Sequence, residues 1–351
     1  MTIALDLGAS QFRTLRRVDD RLVARSIEAL YSVLADTPAH RRLLDQAGIP
    51  FSLSEGNIVL LGKAATESAT LFREASRRLL PAGRVPTFDP LGRQLVSCLI
   101  EAVLPAAAAG GDICSLALPS GVALEAGESC ADVEFYSRLV RLRGYEPRIV
   151  SAAQSLILAE LADAAFTGIG LVFGASGCEA VLAHRGQPLC HVQTKFGGHA
   201  IDDLLVERGY GEPSAASNNA AIALSIVDAR AVQRVREAVV PSERSPSASI
   251  EHAVAVLLRQ TAEKLVAALD AELRRTPRVG SIPQPVAVAC SGGLTETPGF
   301  EALIAEVLGQ CRLPVKCQIP RAAARSARSV LRGLLISGEL ESPGNSVRRS
   351  A

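Results

Sequence analysis

The chain has 351 residues, of which 48% are hydrophobic and 21% charged. At roughly 150 residues per domain that is length for about two domains with cores of their own, and so much apolar surface excludes a disordered chain. Lys and Arg (37) nearly cancel Asp and Glu (36), leaving a net charge of +1; the basic excess needed to bind a nucleic-acid backbone is missing.

Residues 3–7 (IALDL) read as a first strand. The run meets Asp6 early and has no basic segment before it, so it fits neither a signal peptide nor a membrane span. Later apolar stretches such as 100–109 stop far short of the roughly 18 residues a spanning helix needs. The expectation is a soluble, cytoplasmic protein. Residues 11–17 and 21–27, around Val18-Asp19-Asp20, read as a hairpin, so a β-meander opens the chain. A mixed region follows to about 85. Leu91, Leu95, Leu99, Ile100 and Val103 then recur at helical spacing, ahead of a strand at 113–118 and a helix near 128–143 stopped by Gly144. A strand at 147–150 leads to an apolar helix at 152–165. Alternation of this kind is the mark of a sheet covered by helices.

At 169–173 (IGLVF) the opening pattern starts again, with strands at 178–184 and 188–193 around an Arg185-Gly186 turn. Aligning IALDLGASQFRTLRRVDDRLV with IGLVFGASGCEAVLAHRGQPL places Gly8-Ala9-Ser10 on Gly174-Ala175-Ser176, an offset of 166 residues. A duplicated domain is the economical explanation. The second half continues with helices at 198–209, near 225–239 and at 251–275, a strand at 285–290, a helix near 299–309, a strand at 314–318 and a helix at 321–337. Polar stretches lie at 211–219 and 241–249, and a loose tail is expected from 338. Eight cysteines (Cys98, Cys114, Cys130, Cys178, Cys190, Cys290, Cys311 and Cys317) form no CxxC pair and read as reduced and buried. Cys311 and Cys317 are the closest pair, with no matching His or Cys nearby to complete a metal site.

A strand that ends in Gly-Ala-Ser lets backbone approach a ligand and leaves successive N–H groups uncovered, an arrangement that attracts anions. One such turn says little, because Gly-Ser turns join hairpins everywhere. Two at equivalent positions of a duplicated unit would face each other across a cleft and grip a polyphosphate from both sides. Ser291-Gly292-Gly293 adds a third small-residue turn after a buried strand.

On these residues the chain resembles the actin-like ATPase superfamily, and within it bacterial MreB, over nearly its whole length. DLGAS at 6–10 is similar to the first phosphate loop and GASGCE at 174–179 to the second, with Glu179 where MreB-type sequences often carry an acid. GGHAID at 197–202 is similar to the segment after the second loop, and CSGGL at 290–294 to the adenosine turn. NIVLLGKAA at 57–65, LLPAGRVPTFD at 79–89, LALPSGV at 116–122 and VLRGLL at 330–335 match MreB in order and spacing. The resemblance implies an α/β fold of two duplicated ribonuclease H-like lobes, 1–150 and 151–337, around a nucleotide cleft. It implies ATP held by Gly8, Ala9, Ser10, Gly174, Ala175, Ser176, Gly177, Ser291, Gly292 and Gly293, and Mg²⁺ held through water by Asp6. It also implies self-assembly into filaments in a cytoskeletal, cell-shape role.

The departures limit the chemistry. Val172 stands where the second loop's acid belongs. The position that orients the attacking water reads Ser151-Ala152-Ala153-Gln154, so Ala152 replaces an acid or amide there; Gln154 would serve only after a slip of two residues, and the polar residue of a buried helix is the simpler reading. Residues 210–250 are short and polar for the family's inserted subdomain, which is expected to be reduced. ATP binding with weak or no hydrolysis is therefore expected. The alternative is a non-enzymatic scaffold of the same fold that binds a protein partner. A small-molecule kinase lacks a convincing base. Arg321, Arg325, Arg328 and Arg332 share one face of the last helix, either a solvated side near a C-terminus or an anionic contact. MreB's amphipathic membrane helix has no counterpart ahead of the first strand, so membrane contact is not expected.

Overall fold

The computed structural model describes residues 1–72, 76–120, 131–207, 246–277, 279–311, 313–318 and 327–341. The opening meander forms as the sequence predicts, with β1 (Thr2–Leu7), β2 (Gln11–Val18) and β3 (Arg21–Glu28) paired antiparallel. Asp19 and Asp20 close the hairpin with φ of 46° and 61°, the two positive values that a two-residue turn matched to strand twist requires.

The region to residue 85, which carries no clear period, builds a small sheet of its own. Its strands β4 (Leu30–Ala35), β5 (Ser52–Ser54), β6 (Asn57–Leu61) and β7 (Arg77–Arg78) run in the order β5-β6-β4-β7. Helices α1 (Pro38–Ala47) and α2 (Lys63–Phe72) accompany it. Thr37 caps α1 by accepting the His40 N–H, Pro38 opens it and Gly48 closes it at φ 65°, the usual asymmetry of helix ends. Leu34, Leu44, Ile58 and Leu60 give this sheet a separate core.

Helix α3 (Pro90–Val103) starts where Asp89 accepts the Gly92 N–H at 2.9 Å, and it buries Leu95, Leu99, Ile100 and Val103 on the expected face. Strand β8 (Ile113–Ala117), helix α4 (Ala131–Leu142) and strand β9 (Glu146–Ile149) complete the first main sheet, ordered β3-β2-β1-β8-β9 with β1, β8 and β9 parallel. Helix α5 (Ala152–Glu160) follows, shorter than the 152–165 expected.

The second main sheet repeats the first. Strands β10 (Gly168–Phe173), β11 (Cys178–His184), β12 (Gln187–Thr194), β13 (Val286–Ser291) and β14 (Cys317–Gln318) lie in the order β12-β11-β10-β13-β14. The offset of 166 residues carries β1 onto β10 and β3 onto β12 from end to end. Around this sheet are α6 (Gly198–Glu207), α7 (Pro246–Arg275), which starts five residues before the expected 251, and α8 (Phe300–Gln310).

Helix α9 (Ala327–Glu341) corrects the expected tail boundary. It stays helical to Glu341, past the 338 at which a tail is expected, and packs on β1, β2 and β8 of the first lobe, with Gly338 against Thr2 and Ser115. Helix α5 packs on β10, β11 and β13 of the second lobe. The helix that follows each main sheet in the chain therefore underlies the other main sheet, and the two helices pack on each other. Ala4, Leu156, Ile157, Val172, Val330 and Leu334 bury one apolar layer at that crossing, so the lobes share a core as well as a chain.

Cys114, Cys178, Cys190 and Cys290 are buried free thiols as expected, but Cys98 is exposed on α3 and Cys311 and Cys317 are half-buried. Burial raises the Cys178 thiol to about 12. The helix near 225–239, nearly all of the 210–250 insertion, Cys130, Arg321 and Arg325 lie outside the described residues. No helix among the described residues is long and apolar enough to cross a membrane.

Candidate functional site

Because β1 and β10 end at the same level of two sheets related by the repeat, the turns that follow them open on one cleft of about 770 Å³ between the lobes. A cavity of that size is ordinary for a cofactor-sized ligand. Asp6, Gly8, Ala9, Ser10, Gly174, Ala175, Ser176, Ser291, Gly292 and Gly293 all line it. Gly177 does not. It seats the second turn from beneath, where a Cβ would come within 2.2 Å of the Thr194 carbonyl oxygen.

The turns hold their shape through few bonds of their own. Gly174 N–H donates to the Gly177 carbonyl at 3.0 Å, and the first turn of α6 donates back to the loop, Gly198 N–H to Gly174 O and His199 N–H to Ala175 O. The amides of Ala9, Ser10, Ala175 and Ser176 take no backbone acceptor in this set of turn bonds among the described residues. Successive amides beside a cavity suit an anionic ligand. Gly292 has φ +111°, and a Cβ there would lie 2.2 Å from the Phe173 carbonyl oxygen, so β13 can lie beside the end of β10 only with glycine at this point.

Contacts among the described residues bridge the cleft between the halves. Arg78 on β7 makes a bidentate pair with Asp203 on α6, both bonds 2.7 Å. Ser10 Oγ lies 3.4 Å from His199 Nε2, and Gly83 packs on Ser176. None of these is legible in the sequence, because Arg78 and Asp203 belong to no motif and meet only through the tertiary fold.

The repeat also shows where the halves differ chemically. Asp6 and Arg13 face each other across β1 and β2, and at the same positions of the second lobe Val172 faces Glu179. Arg13 reaches Asp6 at 3.6 Å and donates to Gln11 Oε1 at 3.0 Å; all three line the cleft. Glu179 is 2% exposed and pairs with His191 at 2.7 Å. Burial, more than any other cause, raises the Asp6 carboxyl above its ordinary value; Arg13 opposes this and Glu179 adds to it. A raised carboxyl gives stability that is present below its unfolded value and lost as pH rises through the folded one. Asp6→Asn is therefore expected to raise the melting temperature at neutral pH, with the gain vanishing below the ordinary carboxylate range, as a pair of calorimetric scans would show.

The positions expected to drive hydrolysis are apolar. Val172 and Ala152 line the cleft as buried aliphatic groups. Gln154 is turned to other work, its Nε2 donating to Gly186 O at 3.1 Å, so it does not replace Ala152. The arginine face divides as well: Arg328 lines the cleft, while Arg332 pairs with Glu160 of α5 at 3.7 Å. No group of three or more His, Cys, Asp or Glu among the described residues is placed to hold a metal ion. Asp6 shares the cleft with the acids Glu28, Asp202 and Glu296, and Val172 stands where the repeat would place a counterpart of Asp6.

Two repeated sheets, crossed helices beneath them and paired turns on a central cleft give an actin-like two-lobe fold, similar to that of MreB and MamK. The Volactin family model matches residues 1–338, and the chain belongs to that family. Among solved structures, MamK in a double helical filament superposes with a TM-score of 0.62 at 14% identity, covering 97% of this chain and 99% of MamK. MreB5 of Spiroplasma citri bound to AMPPNP matches with a TM-score of 0.62 at 14% identity, over 100% of this chain and 98% of MreB5. Its ADP complex gives 0.61 at 15% identity, over the same shares of the two chains. No curated protein matches the sequence.

Proposed function

We propose that this protein binds a nucleotide, ATP in the first instance, between its lobes and assembles into filaments as a cytoplasmic cytoskeletal element of the cell-shape type, with weak or no hydrolysis. The observation that carries the reading is the pair of Gly-Ala-Ser turns, related by the repeat, that open with Ser291-Gly292-Gly293 on one cleft. In this reading the two turns hold the phosphates through backbone amides, Ser10 and Ser176 add hydroxyls, and the third turn backs the nucleoside. MreB5 bound to AMPPNP and MamK in a double helical filament support both halves of the reading by likeness of fold.

Calorimetric titration of the full chain with ATP, joined to electron microscopy of the saturated sample, tests it. Micromolar binding with filaments is expected. No heat at millimolar ATP would replace this reading with a scaffold that keeps the fold and binds a protein partner, which the buried Val172 and Ala152 would then explain.

Hydrolysis in a fold of this kind depends on positioning water against the terminal phosphate, and losing such groups costs orders of magnitude in rate. Two positions are apolar here, so Val172→Asp alone is expected to leave phosphate release at background. Appreciable turnover by that single variant would show that one acid is enough.

A further inference from the structure

The segment that leads from the small sheet back into the first lobe, 77–83, is held firmly at its own end. Strand β7 pairs with β4, with Arg78 opposite Leu30, and Leu79 N–H donates to Ala29 O at 3.0 Å. Leu79 and Leu80 are fully buried in the first lobe's core. From this fixed backbone the Arg78 side chain lines the cleft and meets Asp203 of α6, in the second lobe, through two bonds of 2.7 Å. Further along the same segment Gly83, at φ +74°, lies so close to Ser176 that a Cβ would stand 2.6 Å from the serine hydroxyl oxygen.

What the segment touches in the second lobe moves as one unit. Helix α6 is tied to the second Gly-Ala-Ser turn by Gly198 N–H to Gly174 O at 3.0 Å and His199 N–H to Ala175 O at 2.8 Å, so a hold on Asp203 is also a hold on the turn. Paired bonds between a guanidinium and a carboxylate fix direction as well as distance. The Arg78 side chain is only 15% exposed, and salt screens a partly buried pair much less than an open one. A ligand held between two lobes leaves when they part, and such opening often sets the rate of release.

We propose that segment 77–83 is a strap that fastens the first lobe to the second, with Arg78 and Asp203 as its closure, and that this pair sets how fast nucleotide enters and leaves the cleft. Arg78 and Asp203 are positioning residues, which act by keeping the second turn against the first. The kinetic part rests on the nucleotide reading above; the fastening of the lobes does not.

Two measurements on the full-length protein test it. In small-angle X-ray scattering without nucleotide, Arg78→Ala and Asp203→Ala should each give a larger radius of gyration than the wild type, and the exchange Arg78→Asp/Asp203→Arg should bring it back. In stopped-flow displacement of N-methylanthraniloyl-ATP, each single variant should release the probe faster by on the order of ten-fold, with slow release restored by the exchange; circular dichroism confirms that each is folded. Folded single variants that scatter as the wild type does would overturn the strap, and a larger radius with unchanged release would overturn its control of exchange. Fast release that persists in the exchange variant would overturn the role of the pair. A wild type that gives no fluorescence change with the probe would overturn the nucleotide reading, and scattering alone would then decide the fastening.

Discussion

Replacing Gly333 by alanine is expected to lower the melting temperature by roughly 5 to 10 °C, the largest stability effect of any single methyl group in the described core. Gly333 lies on α9 at its crossing with α5, where a Cβ would come 1.7 Å from the Ser155 carbonyl oxygen and 2.4 Å from its carbon. Alanine elsewhere in a helix gains up to about 1 kcal/mol over glycine. Overpacking against backbone costs about 3 kcal/mol or more, because a helix cannot yield by changing a rotamer, so the clash outweighs the gain. The consequence reaches beyond stability. Helix α9 underlies β1 and β8 while α5 underlies β10 and β13, so forcing the two apart moves the sheets whose turns form the cleft, and ATP affinity should fall with the melting temperature. Gly309→Ala is the control: it sits in α8 with nothing within 4 Å of a Cβ, and should stabilise slightly. Similar melting temperatures for the two variants would show that the helix crossing is looser than described.

Gly292→Ala should do comparable harm at the other end of the shared core. At φ +111° and ψ 162° the residue occupies a region essentially closed to side chains, which costs about 1 to 3 kcal/mol, and a Cβ would lie 2.2 Å from the Phe173 carbonyl oxygen. The strand pair β10 and β13 would have to part, carrying Val172 and Ser291 with it. The neighbouring Gly293→Ala separates fold from ligand. Gly293 lines the cleft with open space around a Cβ, so that variant should melt with the wild type yet bind ATP more weakly, because the added methyl enters the volume assigned to the nucleoside. Unchanged ATP affinity in Gly293→Ala would move the nucleoside away from this turn.

The two lobes are alike in backbone and unlike in charge. Duplication preserved the strand order, the turn glycines and the positive-φ hairpins at Asp19-Asp20 and Arg185-Gly186. It did not preserve the residue pairs on the strands beside the turns, Asp6 with Arg13 in one lobe and Val172 with Glu179 in the other. Backbone architecture depends on pattern, which tolerates substitution, whereas catalysis depends on particular groups at particular atoms. A chain can therefore keep a cleft while the side chains around it change.

Sequence alone determined a good part of this protein. The period-two runs, the hairpin turns and the offset of 166 residues located the strands of both meanders, since alternation and turn chemistry are local properties of the chain. The same repeat identified the two Gly-Ala-Ser turns that line the cleft, and a small-residue turn after a buried strand pointed to Ser291-Gly292-Gly293; the part of Gly177 in seating the second turn depends on Thr194. The sheet over 30–78 was not legible, because its strands are short and interrupted by two helices, and its core forms only when they meet. Only the tertiary structure decided the packing of α5 under the second main sheet and of α9 under the first, the Arg78–Asp203 bridge and the placing of Arg13 beside Asp6 in the cavity. These join residues far apart in the chain, or depend on which way a side chain leaves its strand relative to a partner sheet. Local pattern carries no record of such geometry; it is fixed when two cores, each specified by its own half of the sequence, bury one shared layer between them.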